Sequence, residues 1–186
     1  MFGVYNFAGL MYTHLALIAV MTIYLKRKGA LEGIVNENHL HDIGKFMFAF
    51  SVFYAYIGFS QFMLIWYANL PEETGYYIRR MEGPWLAVTV FLFVGKFLVP
   101  FLWLLQREAK RSEKTMTRAG IWMLCAHWVD IIWMVNPEYS MAAPAVGWIE
   151  IGTSLGFMGL FGLVVTRFLA KHNVGAIGDP RLPVGI

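Results

Sequence analysis

The sequence is poor in the residues on which most metal and redox cofactor sites depend. It has a single cysteine, Cys125, which lies within an apolar run. One cysteine excludes an internal disulfide, a CxxC metal site, a self-contained iron–sulfur cluster and a CxxCH haem attachment. Rossmann, P-loop and HExxH patterns are also missing from the sequence. We therefore expect no metal site and no cofactor in this chain.

Charged residues are scarce as well. They make up 15% of the chain, whereas 58% of the residues are hydrophobic, and soluble domains usually have about 25% charged residues. This composition predicts an integral membrane protein. The formal net charge of +3 does not indicate a nucleic-acid partner, because the basic residues lie at the edges of apolar runs.

The apolar runs predict an all-α fold, a bundle of five transmembrane helices within residues 1–170. The clearest run, Phe46 to Leu70, has no charged residue and exceeds the roughly 20 residues that a bilayer core requires. Pro71 follows it and cannot continue the helix. The predicted spans are about 4–25, 46–70, 84–105, 118–135 and 144–170, and residues 171–186 are predicted to form an extended cytoplasmic tail.

The distribution of basic residues predicts the orientation of the bundle. The loops after spans 1 and 3 and the C-terminal tail are rich in Lys and Arg, whereas the opposite side has only Arg79 and Arg80. Basic loops usually face the cytoplasm. We therefore expect the N-terminus outside and the C-terminus in the cytoplasm. The outer segment Pro71–Gly83, with its charged residues, is a plausible docking surface for a peripheral subunit.

Polar residues at membrane depth are energetically costly and need an explanation. His127 and Asp130 share a helix face and form a pair that can pass a proton. Pro100 cannot donate to the carbonyl of Lys96, which predicts a kink and a free carbonyl. The full set of proton-transfer candidates is Lys96, His127, Asp130, Glu150, His14, His39, His41 and Asp42. Three of these, His39, His41 and Asp42, lie at the cytoplasmic start of span 2.

Other readings of these residues remain open. The buried groups can pair only to neutralise one another, or His127 and Asp130 can contact a quinone. His14 and His127 both lie near mid-span, so one haem with two histidine ligands is geometrically feasible. For His39 and His41, solvated residues at a helix start are the simplest interpretation.

Several packing predictions follow from the same runs. Cys125 is expected to be a small buried residue, and the spacing of Gly152 and Gly156 suits close contact between helices. Tryptophans near span ends are typical of interfacial belts. These are Trp85, Trp103, Trp133 and Trp148.

Two stretches carry a resemblance to a known family. The sequence FSQFMLIWYANLPEE, preceded by VNENHLHDIGK, and the later AHWVDIIWMVNP resemble the second NrfD-like (polysulfide-reductase-type) membrane subunit of bacterial alternative complex III. The resemblance runs from MFGVYNFAG to IGDPRL and covers the C-terminal half of the family chain. It therefore implies a missing N-terminal half or a companion chain.

The resemblance also implies a function. Alternative complex III is a quinol:electron-acceptor oxidoreductase of the bacterial inner membrane, in respiratory or photosynthetic electron transport. Its haem c and iron–sulfur groups are on partner subunits, and its quinol site is expected in the other NrfD-like subunit. This chain would then support proton translocation without a redox centre of its own, with His127 and Asp130 as the matching residues. A pure scaffold, or less plausibly a b-haem anchor, is the alternative.

Overall fold

The fold is known from a computed structural model that describes residues 2–140 and 146–175. Within these residues all regular structure is helical, and five helices are long and apolar enough to cross a membrane. The predicted all-α fold with five membrane-length helices is confirmed at this level. The start of the fifth predicted span at Pro144, and most of the predicted tail, lie outside the described residues.

The helices follow one another with short connections. They are α1 (Phe2–Arg27), α2 (Glu37–Ala68), α3 (Pro71–Met81), α4 (Gly83–Leu92), α5 (Val99–Leu105), α6 (Arg107–Arg111), α7 (Glu113–Val135) and α8 (Trp148–Lys171). A π-helical segment, Phe93–Leu98, joins α4 to α5, and a 3₁₀ turn, Asn136–Glu138, follows α7. The membrane-length helices are therefore α1, α2, the continuous rod from α4 to α5, α7 with its 3₁₀ turn, and α8.

Local sequence explains both ends of α2. Asn36 precedes the helix, and its side-chain oxygen accepts hydrogen bonds from the backbone N–H groups of Asn38 and His39, which satisfies donors that the helix itself cannot. At the other end Asn69 adopts a left-handed conformation with φ 48°. Pro71 then begins α3, where its missing N–H costs nothing. The segment Pro71–Gly83, which the sequence predicted as a docking surface, is therefore mostly a helix.

The core of the bundle lies where α1 packs against α2 and α7. Small residues of α1, such as Ala16, allow close approach and are fully buried. At Gly120 of α7 a side-chain carbon would lie 2.7 Å from Cγ2 of Val20 and 3.0 Å from the carbonyl oxygen of Ala16. Only glycine fits this crossing, so α1 and α7 are held at backbone contact.

Helix α8 stands apart from this core. None of its residues is buried, and a side-chain carbon at Gly152 or Gly156 would meet no atom within 4 Å. Ser154 accepts a hydrogen bond of 2.9 Å from the indole N–H of Trp128 on α7. The predicted close contact at the glycines is therefore not made within the described part of the chain, because no other helix lies on that face.

Three further packing predictions are wrong. Cys125 is exposed, because it lies on the outward face of α7. Trp85 and Trp133 are buried, with 1% and 8% of their surfaces exposed, and do not form an interfacial belt. Their indole N–H groups donate within the protein, to the carbonyl oxygen of Ser140 and to the hydroxyl of Thr89.

Candidate functional site

A buried ion pair lies at the centre of the bundle. Nζ of Lys96 is 2.6 Å from Oδ2 of Asp130, and the two side chains are 0% and 1% exposed. Nδ1 of His127 lies 2.8 Å from the same Nζ and 3.5 Å from the same Oδ2. The structure thus joins three of the proton-transfer candidates in one cluster, which we call the Lys96–His127–Asp130 cluster.

The π-helical segment positions Lys96. Its wider turn is closed by a hydrogen bond from the N–H of Val99 to the carbonyl oxygen of Val94, and Pro100 follows without a donor of its own. The prediction that Pro100 leaves the Lys96 carbonyl free is wrong, because the hydroxyl of Tyr12 donates to that oxygen at 3.0 Å. Single π turns often mark functional positions in helices.

Two tyrosines that sequence reasoning missed complete the cluster. The hydroxyls of Tyr5 and Tyr54 donate to Oδ1 of Asp130 at 2.9 Å and 2.8 Å and also contact each other. Nζ of Lys96 lies 3.6 Å from the centroid of the Tyr54 ring. A tyrosine hydroxyl at membrane depth needs a polar partner, and this need was the available signal in the sequence.

The two oxygens of Asp130 therefore face different surroundings. Oδ2 meets the Lys96 ammonium and the His127 imidazole, whereas Oδ1 accepts from two neutral phenols. Such a carboxylate is fully hydrogen-bonded, which offsets the large cost of burying its charge. Chemically, the arrangement provides a proton donor, a proton acceptor and an imidazole within hydrogen-bond distance of one another.

A cavity of about 240 Å³ opens on the phenol side of Asp130. Tyr5, Tyr54 and Asp130 line it, together with aromatic side chains such as those of Phe59 and Phe93. Gln61 also lines this cavity and is 3% exposed. Its side-chain oxygen has no hydrogen-bond partner in the part of the chain that the structure describes. An apolar cavity with a few polar groups is the usual form of a small-molecule site.

Arg80 fixes the C-terminal end of α7, about one turn beyond Asp130. It is fully buried and donates to the carbonyl oxygens of Trp133, Met134 and Tyr76 at 3.1, 2.7 and 2.7 Å. Its guanidinium also lies 3.5 Å from the centroid of the Tyr76 ring. Burial lowers the pKa of Arg80, and the Glu138 carboxylate opposes this shift. The position of Arg80 in the sequence suggested an exposed docking surface. Because Arg80 is buried, it is not part of such a surface.

His14 does not join the cluster. It is exposed on α1, while the imidazole of His127 lies against Gly9, where a side-chain carbon would be 2.8 Å from Cε1 of His127. Residues five apart on a helix are separated by about 140° around the axis, so His14 points away from His127. The two histidines do not face one another as the ligands of one haem would.

The remaining candidates lie at helix ends. Glu150 accepts a hydrogen bond of 2.8 Å from the backbone N–H of Gly147 and so caps its own helix. His39 helps to cap α2, with its Nδ1 3.3 Å from the backbone nitrogen of Asn36. Asp42 is exposed and pairs with Lys45 at 2.6 Å, while His41 lies one residue before it. None of these four touches the Lys96–His127–Asp130 cluster.

Comparison with known proteins adds no family to this geometry. No protein-family model matches the chain, and no curated protein matches it either. Among the described residues, no group of three or more His, Cys, Asp or Glu side chains is placed to hold a metal ion. The features of the described chain that bear on function are therefore the buried cluster and the cavity beside it.

Proposed function

We propose that this chain is a membrane subunit of a quinol:cytochrome c oxidoreductase of the alternative complex III type and that it moves protons through the Lys96–His127–Asp130 cluster. In this role it has no redox centre of its own. It belongs beside a second NrfD-like subunit and the iron–sulfur and haem c subunits, in the inner membrane of a bacterium. The lipid bilayer and quinol are its other partners.

One observation carries the proton-transfer part of the proposal, the 2.6 Å contact between Lys96 and Asp130 within membrane-length helices. The assignment to the complex rests on the sequence resemblance. A buried ion pair is weak support for stability, because desolvation offsets most of the Coulomb attraction. Ionisable groups at membrane depth are more often part of proton or ion pathways. The third titratable group, His127, at 2.8 Å from Lys96, favours a relay over a simple pair.

In the proposed relay the groups have distinct roles. Asp130 accepts the proton, Lys96 stabilises the carboxylate and can supply a proton to it, and His127 exchanges protons with this pair through Nδ1. Tyr5 and Tyr54 hold Oδ1 in place from the cavity side. Glu150 and His14 have no part in this relay, since neither is near the cluster.

The proposed orientation places the N-terminus outside and the C-terminus in the cytoplasm, as the positions of Lys and Arg in the connecting segments suggest. In this orientation α3 lies on the outer side. The helix start at His39, His41 and Asp42 lies on the cytoplasmic side, where protons would enter or leave by way of solvent.

The test uses the intact complex, purified through a tag on this chain and reconstituted in proteoliposomes. Quinol oxidation and transmembrane proton movement are followed together for Asp130→Asn and Lys96→Met. His14→Gln is the matched control, because it removes a titratable group from the outward face of the same bundle. We expect quinol oxidation to persist in all three variants. Proton movement is expected to fall in Asp130→Asn and Lys96→Met and to be unchanged in His14→Gln.

Two other results would redirect the assignment. If both variants keep full proton movement, the cluster is a structural pair and the chain is a scaffold for its redox partners. If oxidation and proton movement are lost together while the complex remains assembled, the quinol site itself involves this chain. Failure of other subunits to purify with the chain would contradict the complex as a whole.

The cavity favours a second candidate function, contact with a quinone by Asp130. Its aromatic lining and the unpaired oxygen of Gln61 suit a neutral ring that bears a hydroxyl group. His127 lies on the opposite side of Asp130, so it would act only through the carboxylate. Gln61→Leu separates the two functions, because it changes the affinity for quinol without removing any group of the relay.

A further inference from the structure

Basic side chains gather where α6 packs against the first turns of α2. Four of them lie within electrostatic range of His41, and these are Lys45, Arg107, Lys110 and Arg111. We call these five residues the α2–α6 basic cluster. It lies outside the Lys96–His127–Asp130 cluster, and the proposed proton relay makes no use of its three α6 members.

Packing holds two of these cations in place. A side-chain carbon at Gly44 would lie 2.8 Å from Cγ of Lys110, so the stem of Lys110 lies directly on the α2 backbone. The Lys110 ammonium is 5.5 Å from the centroid of the Phe48 ring. A terminal nitrogen of Arg111 donates to the side-chain oxygen of Asn38 at 3.0 Å. The positive charges are therefore arranged before any ligand arrives.

Arg111 also has an unmet requirement. Its Nε is buried and has no hydrogen-bond partner within residues 2–140 and 146–175. A buried donor without an acceptor is costly, so such a group commonly marks the place of an ion or ligand. The missing partner must be an acceptor, and beside further cations an anionic oxygen is the favoured one.

Other cations at this end of the bundle differ in this respect. Lys26 and Arg27 share the carboxylate of Glu113 at 2.9 Å and 3.3 Å, and Lys45 pairs with Asp42. Among the described residues, Arg107, Lys110 and Arg111 form no ion pair, not even with Glu108 of the same short helix. Their charge remains available to an external anion.

The neighbouring surface is apolar. Phe46 follows Lys45 and is 58% exposed, and Leu102 and Leu105, which precede α6, are each 55% exposed. Positive charge beside exposed apolar side chains at the end of membrane-length helices suits a molecule with an anionic head and hydrocarbon chains. A soluble phosphate would use only the charged part of this surface.

We propose that the α2–α6 basic cluster binds the phosphate of an anionic membrane phospholipid, with the acyl chains lying along Phe46 and α5. Nε of Arg111 is buried, so the Arg111 side chain turns outward to donate to a phosphate oxygen, and Lys110 and Arg107 supply the remaining positive charge. The bound lipid holds α6 against α2. The three α6 residues of this site take no part in the proposed relay, and lipid binding there requires no redox partner.

The test measures lipid binding to the purified full-length chain by native mass spectrometry. Phosphatidylglycerol and phosphatidylcholine are titrated separately, and inorganic phosphate is added as a competitor. The variant Arg107→Gln/Lys110→Gln/Arg111→Gln is compared with Lys28→Gln/Lys114→Gln/Arg118→Gln, which removes the same charge from exposed positions at the same end. Circular dichroism establishes that both variants retain their helices.

We expect the native chain to bind phosphatidylglycerol about tenfold or more tightly than phosphatidylcholine. The α6 variant loses this preference, and the control variant keeps it. Equal losses in both variants would overturn the site in favour of general surface charge. Displacement of the lipid by inorganic phosphate would identify a soluble anion as the ligand and also overturn the proposal. If the α6 variant does not fold, the native chain is compared with Lys110→Gln instead. A weaker preference for phosphatidylglycerol in Lys110→Gln supports the site, and an unchanged preference overturns it.

Discussion

Helices α7 and α8 are both long and apolar, yet the structure surrounds Asp130 of α7 and Glu150 of α8 differently. In the most apolar stretch of α7 and its 3₁₀ turn 39% of the residues are buried, whereas in that of α8 0% are buried. Asp130 of α7 contacts Lys96, His127 and two tyrosines. Glu150 of α8 accepts from Gly147, a residue of its own helix start.

This comparison shows that the position of an acidic residue within an apolar run does not indicate its role. A carboxylate near the first turn of a helix can be satisfied by free backbone N–H groups. In the middle of a helix the backbone donors are already used, so partners must come from other helices. Asp130 therefore requires a network, and Glu150 does not.

The largest difference between the two helices is expected from Asp130→Asn. The substitution leaves the Lys96 ammonium buried without a counter-ion, which typically costs about 3–5 kcal/mol. Glu150→Gln keeps an acceptor for the Gly147 N–H and is expected to change stability by less than about 0.5 kcal/mol. Reversible unfolding in detergent micelles measures both values. Equal changes in unfolding free energy would contradict the expectation that Asp130 depends on its partners more than Glu150 does.

The glycines of the two helices provide a second contrast. Gly120→Val forces side-chain atoms into Val20 and Ala16 of α1, and overpacking of this kind costs about 1–3 kcal/mol. Gly156→Val meets open space and is expected to leave the unfolding free energy of the isolated chain unchanged. If Gly156→Val is the more harmful of the two in the isolated chain, α8 packs against the bundle more closely than described.

A smaller effect is expected at the phenol side of Asp130. Tyr54→Phe removes one hydrogen bond to the carboxylate, worth about 1.5 kcal/mol for a charged acceptor, and leaves the Lys96 contact intact. Tyr56→Phe is the matched control on the same helix, because Tyr56 is 64% exposed. Thermal unfolding of the two variants checks the difference. A null result at Tyr54 would mean that Tyr5 alone satisfies Oδ1.

The smallest effect is expected at Arg80 when its charge is kept. Arg80→Lys retains one donor for the end of α7 but cannot reach all three carbonyl oxygens, and we expect a loss of about 1 kcal/mol. Arg79→Lys, next to it on α3, keeps its contact with Glu138 and is expected to be neutral. Chemical denaturation of the two variants compares them. Equal midpoints would contradict the anchoring role of Arg80.

The sequence predicted much of the fold because hydrophobic runs of this length have few alternatives in a membrane. It also identified Lys96, His127 and Asp130 as costly polar residues. It did not predict that Lys96 meets the other two, since this depends on how the π-helical segment packs against α7. Periodicity within one helix does not specify which faces of two helices touch.

Other features had weaker signals. Tyr5 and Tyr54 lie in apolar runs, where a tyrosine resembles any other aromatic residue until its hydroxyl meets Asp130. Arg80 was expected at an exposed surface. It is buried because carbonyl oxygens within α3 and at the end of α7 accept from it. The outward position of Cys125 follows from the rotation of α7, which its nearly uniform apolar composition does not encode.

The most direct test of the account is whether Asp130 changes its protonation state during turnover. Infrared difference spectroscopy of the reconstituted complex would follow the carbonyl band of a protonated carboxyl group when quinol is added. We predict a band that appears in the native complex and in Glu150→Gln and is missing from Asp130→Asn. A complex that turns over and moves protons without this band would contradict the central claim that the buried cluster carries the proton.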